Sequence, residues 1–126
     1  MSEVRERNVV LEVLEAFRDR DQGILLNSII AFLYVAENEG IGVKELAYLC
    51  RLNEATASRS VRALAAADAP GALPPALGLV VLSQNPRDAR GRLISLTEEG
   101  RVLCDSIDAA IAGAVTISGA LGAGAE

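Results

Sequence analysis

The segment 87-RDARGRLISLTEEG-100 joins a charged loop, a short apolar stretch and the start of a helix. Three arginines and one aspartate fall within residues 87–92. The mostly apolar sequence of residues 92–96, RLISL, then predicts a strand. Thr97 is a good helix N-cap, and the two glutamates that follow it suit the positive end of a helix dipole. We therefore predict a strand that leads directly into a helix, with an arginine cluster at its start.

A second strand is expected immediately upstream of this cluster. Residues 79–83, LVVLS, are mostly apolar and follow a glycine, which predicts a short strand. The turn-rich sequence QNPRDARG then connects the two strands as a β-hairpin. Before the hairpin, residues 69–78 hold three prolines and two glycines, and this composition predicts a loop.

Two short helices are predicted before that loop. The first spans about 43–50 and the second runs from 54 to about 68, with a three-residue connection between them. Asn53 is a plausible N-cap for the second helix. This spacing is typical of a helix-turn-helix motif. A hairpin directly after such a motif is the winged-helix arrangement, in which the hairpin is the wing.

Flanking helices complete the fold. Residues 3–20 have the apolar spacing of an amphipathic helix, and residues 24–38 are apolar nearly all round, which predicts a buried central helix. The fold class is therefore mainly α with a small β-hairpin (α+β). We predict a single winged-helix domain over 1–126, made of N-terminal helices (3–40), the helix-turn-helix and wing (41–97), a C-terminal helix (98–118) and a flexible tail (119–126).

Composition excludes most enzyme classes. The chain has 126 residues, which suits one domain, and it contains no histidine. Ser-His-Asp and Cys-His catalysis and the common histidine zinc sites are therefore excluded. Two cysteines are too few for a disulfide framework or a four-thiolate metal site. No glycine loop suited to a phosphate is present, so we predict no enzyme, no metal site and no cofactor.

The cysteines and the apolar segments bear on the compartment. Cys50 and Cys104 lie in apolar helical contexts, which predicts buried, reduced thiols in a cytoplasmic protein; a redox switch is the alternative. The N-terminus lacks the apolar run of a signal peptide. The uncharged stretch 109–125 is short for a membrane span and rich in alanine and glycine. We therefore expect no contact with a membrane.

Charge is distributed unevenly along the chain. The formal net charge is -5, which argues against a generic nucleic-acid binder. Residues 41–101, however, carry eight basic and six acidic side chains, while the rest of the chain carries four basic and eleven acidic ones. Eleven of the twelve basic residues are arginine, whose planar guanidinium suits bidentate contact with phosphate or guanine. Residues 41–101, which include the predicted helix-turn-helix and wing, are thus mildly basic, and the flanking segments are acidic.

Two segments resemble a known family. LAYLCRLNEATASRSVRAL, residues 46–64, resembles the helix-turn-helix of the multiple-antibiotic-resistance-regulator (MarR) family, and DARGRLISLTEEG, residues 88–100, resembles its wing. The similarity extends over about 41–111, and the first two helices agree only in pattern. The positions that match the wing motif in register are Asp88, Arg90, Leu96, Thr97 and Gly100.

The resemblance implies a transcription regulator, expected to be a repressor, that binds a pseudo-palindromic operator in double-stranded DNA as a homodimer. It also implies that the flanking N-terminal helices (3–40) and C-terminal helix (98–118) form the dimer. It also implies a small-molecule effector bound between the dimerisation and DNA-binding parts. The second helix of the motif would enter the major groove, and the wing arginine would enter the minor groove. By position, Thr56, Ser58 and Arg59 would meet bases or phosphates, Arg90 would be the wing-tip arginine oriented by Asp88, and Arg62, Arg87 and Arg92 would contact phosphates.

Other readings of these residues stay open. Ser58 is also explained as a surface hydroxyl, and Asp88 and Arg90 as a brace for the hairpin turn. A winged-helix protein-interaction module without DNA binding is the alternative function, motivated by the acidity and the long loop. The chain departs from the family in the long 69–78 loop, in its short C-terminal part, and in Arg51, which stands where such turns often have glycine.

Overall fold

Helices dominate the structure, and a small sheet adjoins them. The computed structural model describes the backbone of residues 6–124 and the side chains of residues 8–88 and 90–113. The fold is mainly α with an antiparallel hairpin, as predicted. The elements are α1 (Glu6–Arg20), α2 (Leu26–Glu37), β1 (Ile41–Gly42), α3 (Val43–Cys50), α4 (Glu54–Arg62), β2 (Val80–Asn85), β3 (Asp88–Leu96) and α5 (Glu98–Gly124).

The strand β1 was not predicted. It pairs antiparallel with β3, where Ile41 lies opposite Ile94, and the sheet order is β1-β3-β2. The Gly40 N–H donates to the Ile94 carbonyl at 2.8 Å, with Gly40 at a positive φ of 88° that favours glycine. A two-residue strand has no sequence periodicity, so only the fold reveals it. Its effect is to fasten the end of α2 to the base of the wing.

The core lies between the five helices and the base of the sheet. The rings of Phe17 and Phe32 meet edge to face with centroids 5.6 Å apart. Leu64, Leu79 and Leu103 are fully buried around them. The prediction of a buried central helix is right for only one face of α2. The other face stays exposed in the monomer, with Leu26, Leu33 and Tyr34 accessible to solvent.

The second motif helix is shorter than predicted. We expected it to continue to about residue 68, but α4 ends at Arg62. The reason lies in the backbone hydrogen bonds beyond it. The carbonyls of residues 62–65, which a longer helix would use internally, accept instead from the segment that precedes the wing. The donors are the N–H groups of Leu73, Leu77, Leu79, Val80 and Gly78.

The turn between α3 and α4 confirms two expectations. Arg51 adopts the left-handed conformation, with φ 59° and ψ 40°, in place of the glycine typical of such turns. The Leu52 N–H then donates to the Ala47 carbonyl at 3.0 Å, which closes the turn. Asn53 caps α4, since its side chain accepts from the Thr56 N–H at 2.8 Å.

The start of α5 is held against the segment before the wing. The Thr97 hydroxyl accepts from the Gly100 N–H at 3.0 Å and donates to the Gly78 carbonyl at 2.7 Å. The Thr97 N–H donates to the Leu79 carbonyl at 3.1 Å. Gly100 packs so closely on Leu79 that a Cβ would overlap its carbonyl oxygen. This contact explains both the threonine and the glycine of the Leu-Thr-x-x-Gly pattern.

The last helix is longer than predicted. α5 continues to Gly124, whereas we expected a helix end near 118 and a flexible tail over 119–126. The stretch has no proline, and alanine favours helix, so nothing in its sequence enforces an earlier end. The last two residues of the predicted tail, 125 and 126, lie outside the described part of the chain.

Two glycines of α5 provide a matched test of the close contact between Gly100 and Leu79. We expect Gly100→Ala to lower the free energy of unfolding by about 1–3 kcal/mol, because the added methyl group overlaps backbone that cannot move freely. Gly113→Ala is the control: nothing lies within 4 Å of a Cβ there, so helix propensity predicts a small stabilisation. Urea denaturation measures both, and a Gly100→Ala protein as stable as wild type would refute the close contact.

Candidate nucleic-acid interface

The helix α4 has one buried and one outward face. Ala57, Ser60 and Val61 are buried against the core, and the Ser28 hydroxyl donates to the Ser60 carbonyl at 3.2 Å. Helical spacing therefore directs Ser58, Arg59 and Arg62 away from the core. Arg59 is exposed, whereas Ser58 and Arg62 are half-buried at the flank that faces the wing.

Thr56 lies at the first turn of α4. It is half-buried, and its Oγ1 accepts a hydrogen bond from the Arg59 guanidinium at 3.2 Å. Its backbone carbonyl accepts from the Ser60 hydroxyl at 2.9 Å. The arginine is thereby held along the helix surface by a neutral hydroxyl, and its charge is not neutralised by this contact.

The wing has a tight turn followed by a bulge. Asn85 lies opposite Asp88, but Gln84 lies opposite Arg92, so residues 89–91 of β3 have no opposite residue on β2. Arg90 occupies the middle of this bulge and is exposed. The turn residue Arg87 is also exposed, and its N–H donates to the Asn85 side chain at 2.9 Å. The two arginines therefore stand at the tip of the hairpin.

Asp88 has a different role from the one expected. The resemblance implied that Asp88 orients the Arg90 side chain, with its carboxylate accepting a charge-assisted hydrogen bond from the guanidinium. Instead, the carboxylate accepts from the Arg90 backbone N–H at 3.0 Å, and no described ion pair joins the two residues. Asp88 thus braces the bulge, the reading that the sequence left open, and fixes the backbone from which Arg90 projects.

The structure brings several predicted residues around one groove, which consists of two neighbouring clefts between α4 and the wing. A cleft of about 730 Å³ lies between the start of α3, the helix α4 and the wing. Ser58 lines it from α4, and Asp88, Arg90 and Arg92 line it from the wing. A neighbouring cleft of about 690 Å³ brings Arg62 together with Ser58 and Arg92. Thr56, Arg59 and Arg87 line neither cleft and lie on the surrounding surface.

The groove also contains residues to which the sequence assigned no role. Lys44, at the start of α3, lines it together with the wing residue Asn85. Two carboxylates, Glu45 and Glu54, line it as well, so the groove is not uniformly positive. Only the fold shows these neighbours, because they come from three separate elements. An isolated lysine carries no motif that would have identified it.

The described arginines of α4 and the wing take no part in the ion pairs of the flanking helices. Within the described side chains, the ion pairs are Arg18–Glu15, Arg20–Glu99 and Arg101–Glu39. The residues of these pairs lie on α1, on α5 and, for Glu39, just after α2, and none is an arginine of α4 or the wing. The charges around the groove are therefore left without a carboxylate partner in this part of the protein, which suits contact with phosphate.

Glu39 holds the base of the wing. Its carboxylate accepts from the Leu96 N–H at 2.9 Å and binds both terminal nitrogens of Arg101, at 2.9 and 3.2 Å. The Leu96 N–H, followed by the Arg101 guanidinium, lowers the pKa of Glu39. This carboxylate therefore joins the end of α2 to β3 and to the first turn of α5.

The two thiols do not have the character of reactive cysteines. Burial raises the pKa of Cys50, and burial followed by the nearby charges of Asp108 and Asp105 raises the pKa of Cys104. A raised pKa disfavours the thiolate, which is the reactive form. These environments favour the structural reading of both cysteines over the redox alternative.

Other site types find no support in the described residues. No group of three or more carboxylates or thiols there could hold a metal ion. No helix of the described part is long and apolar enough to cross a membrane.

Comparison with solved structures identifies the fold. The chain has the winged-helix fold of the MarR-type transcription regulators. By sequence, it matches no protein-family model and no curated protein. The structural similarity is therefore much clearer than the sequence similarity.

Three solved structures illustrate the match. Transcriptional regulator Tm0710 from Thermotoga maritima has a TM-score of 0.69 and 18% identity, covering 91% of this chain and 73% of that one. A MarR regulator from Methanosarcina mazei Go1 has a TM-score of 0.63 and 17% identity, covering 88% and 71%. The repressor CouR, solved with a 23-mer DNA duplex, has a TM-score of 0.60 and 19% identity, covering 85% and 67%.

The carboxylate of Glu39 gives a pH-dependent prediction. Because its pKa is lower in the folded protein, its stabilising contribution is present above the unfolded pKa of about 4.3 and is lost as pH falls through the folded pKa. We expect Glu39→Gln to lower the melting temperature at pH 7, and the difference from wild type to shrink as the pH approaches 3.

The control for this experiment is Glu12→Gln, an exposed glutamate of α1 outside the three described ion pairs. Thermal melts over the same pH range would follow all three proteins. A Glu39→Gln difference that is absent at pH 7, or that stays constant down to pH 3, would show that this carboxylate does not hold the wing base.

Proposed function

We propose that this protein is a sequence-specific DNA-binding transcription regulator of the MarR type that acts as a homodimeric repressor. The observation that carries the proposal is the groove between α4 and the wing. Arginines with no described ion-pair partner surround it, on elements rigidly fixed to one core. The similarity to CouR, a repressor solved with a DNA duplex, supports the same reading.

The proposed binding mode follows from the two outward surfaces. The outward face of α4 enters the major groove, where Ser58 and Arg59 meet base edges or phosphates. The bulge places Arg90 beyond the strand pairing, from where its guanidinium reaches the adjacent minor groove. Arg87 and Arg92 then lie beside the phosphates on either side. Asp88 contributes by fixing the bulge, not by contacting DNA.

The acidity of the chain is compatible with this mode. Binding depends on local neutralisation of phosphates, which releases counterions, and the net charge mainly affects non-specific association. The acidic residues are concentrated outside 41–101. Such a protein would bind random DNA weakly and depend on base contacts and groove shape for its affinity. The phosphate contacts still release counterions, so affinity for its operator should decrease as the salt concentration rises.

The dimer is proposed from an exposed apolar surface. On α1, Val10, Leu11 and Leu14 are 58%, 56% and 43% exposed, and on α5 Ile111 is 47% exposed. The helices α1 and α5 pack on each other, so these exposed side chains lie on two neighbouring helices. An apolar surface of this kind is typical of a protein interface. We infer that a second copy covers it and sets the spacing of the two α4 helices.

The expected effector has a candidate site. A cleft of about 510 Å³ lies between α2 and α5, with Leu33, Ala36, Ile107 and Ile111 among the apolar residues that line it. It adjoins Arg101, which binds Glu39 at the wing base. A small molecule in this cleft would contact elements that position both the dimer surface and the wing, which is where an effector can alter DNA binding.

Alanine substitutions test the reading surface. We expect Arg59→Ala and Arg90→Ala each to weaken binding to a duplex selected by this protein from a random-sequence library by about 5- to 150-fold, the equivalent of 1–3 kcal/mol. Arg18→Ala removes the same charge from α1 and serves as the control. Fluorescence anisotropy over a salt series measures the affinities, and the assignment fails if both variants match Arg18→Ala.

A charge placed on the apolar surface tests the dimer. Leu11→Asp should shift the protein towards monomer in analytical ultracentrifugation, because an interface cannot bury an unpaired carboxylate cheaply. Tyr48→Asp is the matched control, since Tyr48 is 83% exposed on α3, an element outside the proposed interface. Equal sedimentation of the two variants and wild type would place the interface elsewhere, or exclude a dimer.

A further inference from the structure

The proline-rich loop (residues 69–78) is built onto the end of α4. Its Leu73 N–H donates to the Arg62 carbonyl at 3.0 Å, and its Leu77 N–H donates to the Ala63 carbonyl at 3.2 Å. At Gly71, a Cβ would lie 3.5 Å from Cδ of Arg62, so the loop backbone packs along this side chain. The loop therefore forms a wall directly beside the candidate DNA-reading surface.

The wall closes one side of the 690 Å³ cleft. Arg62 contributes to the cleft from α4 and Arg92 from β3, while Asp68 lies on the loop side, at the residue before the loop begins. Asp68 is exposed, and neither it nor the two arginines take part in any of the described ion pairs. Two cations and one carboxylate thus share a cleft without forming a close pair.

Arg62, which lines this cleft, has an unsatisfied donor. Its Nε is buried and has no hydrogen-bond partner among the described residues. A buried N–H of a charged group without a partner is costly, and the attraction of an anion in the cleft for the guanidinium charge would partly offset that cost without contact to Nε itself. Arg62 and Arg92 supply the positive charge for such an anion. A phosphate of the DNA backbone is the anion that the position beside α4 would meet.

We propose that Asp68 is an internal competitor of a DNA phosphate at this cleft, and that it limits the affinity of the protein for DNA. This inference rests on the proposed function. The carboxylate offsets the attraction of Arg62 and Arg92 for a phosphate, and it repels the phosphate itself. Because the affected contact is to the backbone of DNA, Asp68 lowers affinity for all sequences and makes binding depend more on the base contacts made by α4 and the wing.

The test compares two neutralised aspartates in the full chain. The probe is a labelled duplex selected by the wild-type protein from a random-sequence library, and the readout is anisotropy at low salt. We expect Asp68→Asn to tighten binding roughly two- to fivefold relative to Asp19→Asn, the range for one partly screened surface charge. Asp19 is exposed on α1, so its variant has the same net charge but an unchanged cleft.

Repeating the comparison in the Arg62→Ala variant tests whether Asp68 acts through the arginines of the cleft. In the Arg62→Ala protein, Asp68→Asn should increase the affinity for DNA by a smaller factor. One of the two cations for which Asp68 competes with the phosphate is then absent. A gain of unchanged size there would overturn the proposal, and so would equal affinities of Asp68→Asn and Asp19→Asn while wild type binds DNA. If the wild-type protein selects no duplex at all, the proposed function itself fails.

Discussion

The contact between the first turn of α5 and the backbone of Gly78 and Leu79 is the constraint on which the rest of the structure depends. Leu79 donates its N–H to the Leu64 carbonyl, beyond the end of α4, and accepts the Thr97 N–H with its own carbonyl. One residue therefore links the segment that follows α4, the base of the wing and the start of the long helix α5. Because all three share this point, the distance between helix and wing is fixed by backbone, not by flexible side chains.

Local signals made much of this architecture predictable. Asn53 and Thr97 cap their helices as expected, and Arg51 adopts the left-handed turn that its position required. The errors occur where distant segments supply hydrogen bonds. α4 ends at Arg62 because the segment 73–80 takes the carbonyls beyond it, and β1 exists only because β3 lies alongside. No pattern within a single element contains that information.

The candidate site, too, was predictable only where a local sequence signal exists. The arginines of α4 and the wing were identified from type and position, but the grouping of Arg62, Arg90 and Arg92 around two clefts depends on the folded chain. The partner of Asp88 depended on a bulge that the sequence did not show. Among the described ion pairs, Arg18, Arg20 and Arg101 are paired on the flanking helices, while the arginines around the groove are not. The described ion pairs thus lie on or next to the acidic flanking helices, and the arginines of the mildly basic segment around the groove are outside them.

The central claim is that α4 and the wing read DNA together as one rigid surface. An NMR titration of the ¹⁵N-labelled protein with a duplex selected from a random library tests it most directly. We predict that amide shifts concentrate at residues 54–62 and 85–92 and saturate at the same DNA concentration. Shifts confined to one of these segments, or centred on the exposed side of α2 with both segments unchanged, would contradict the account.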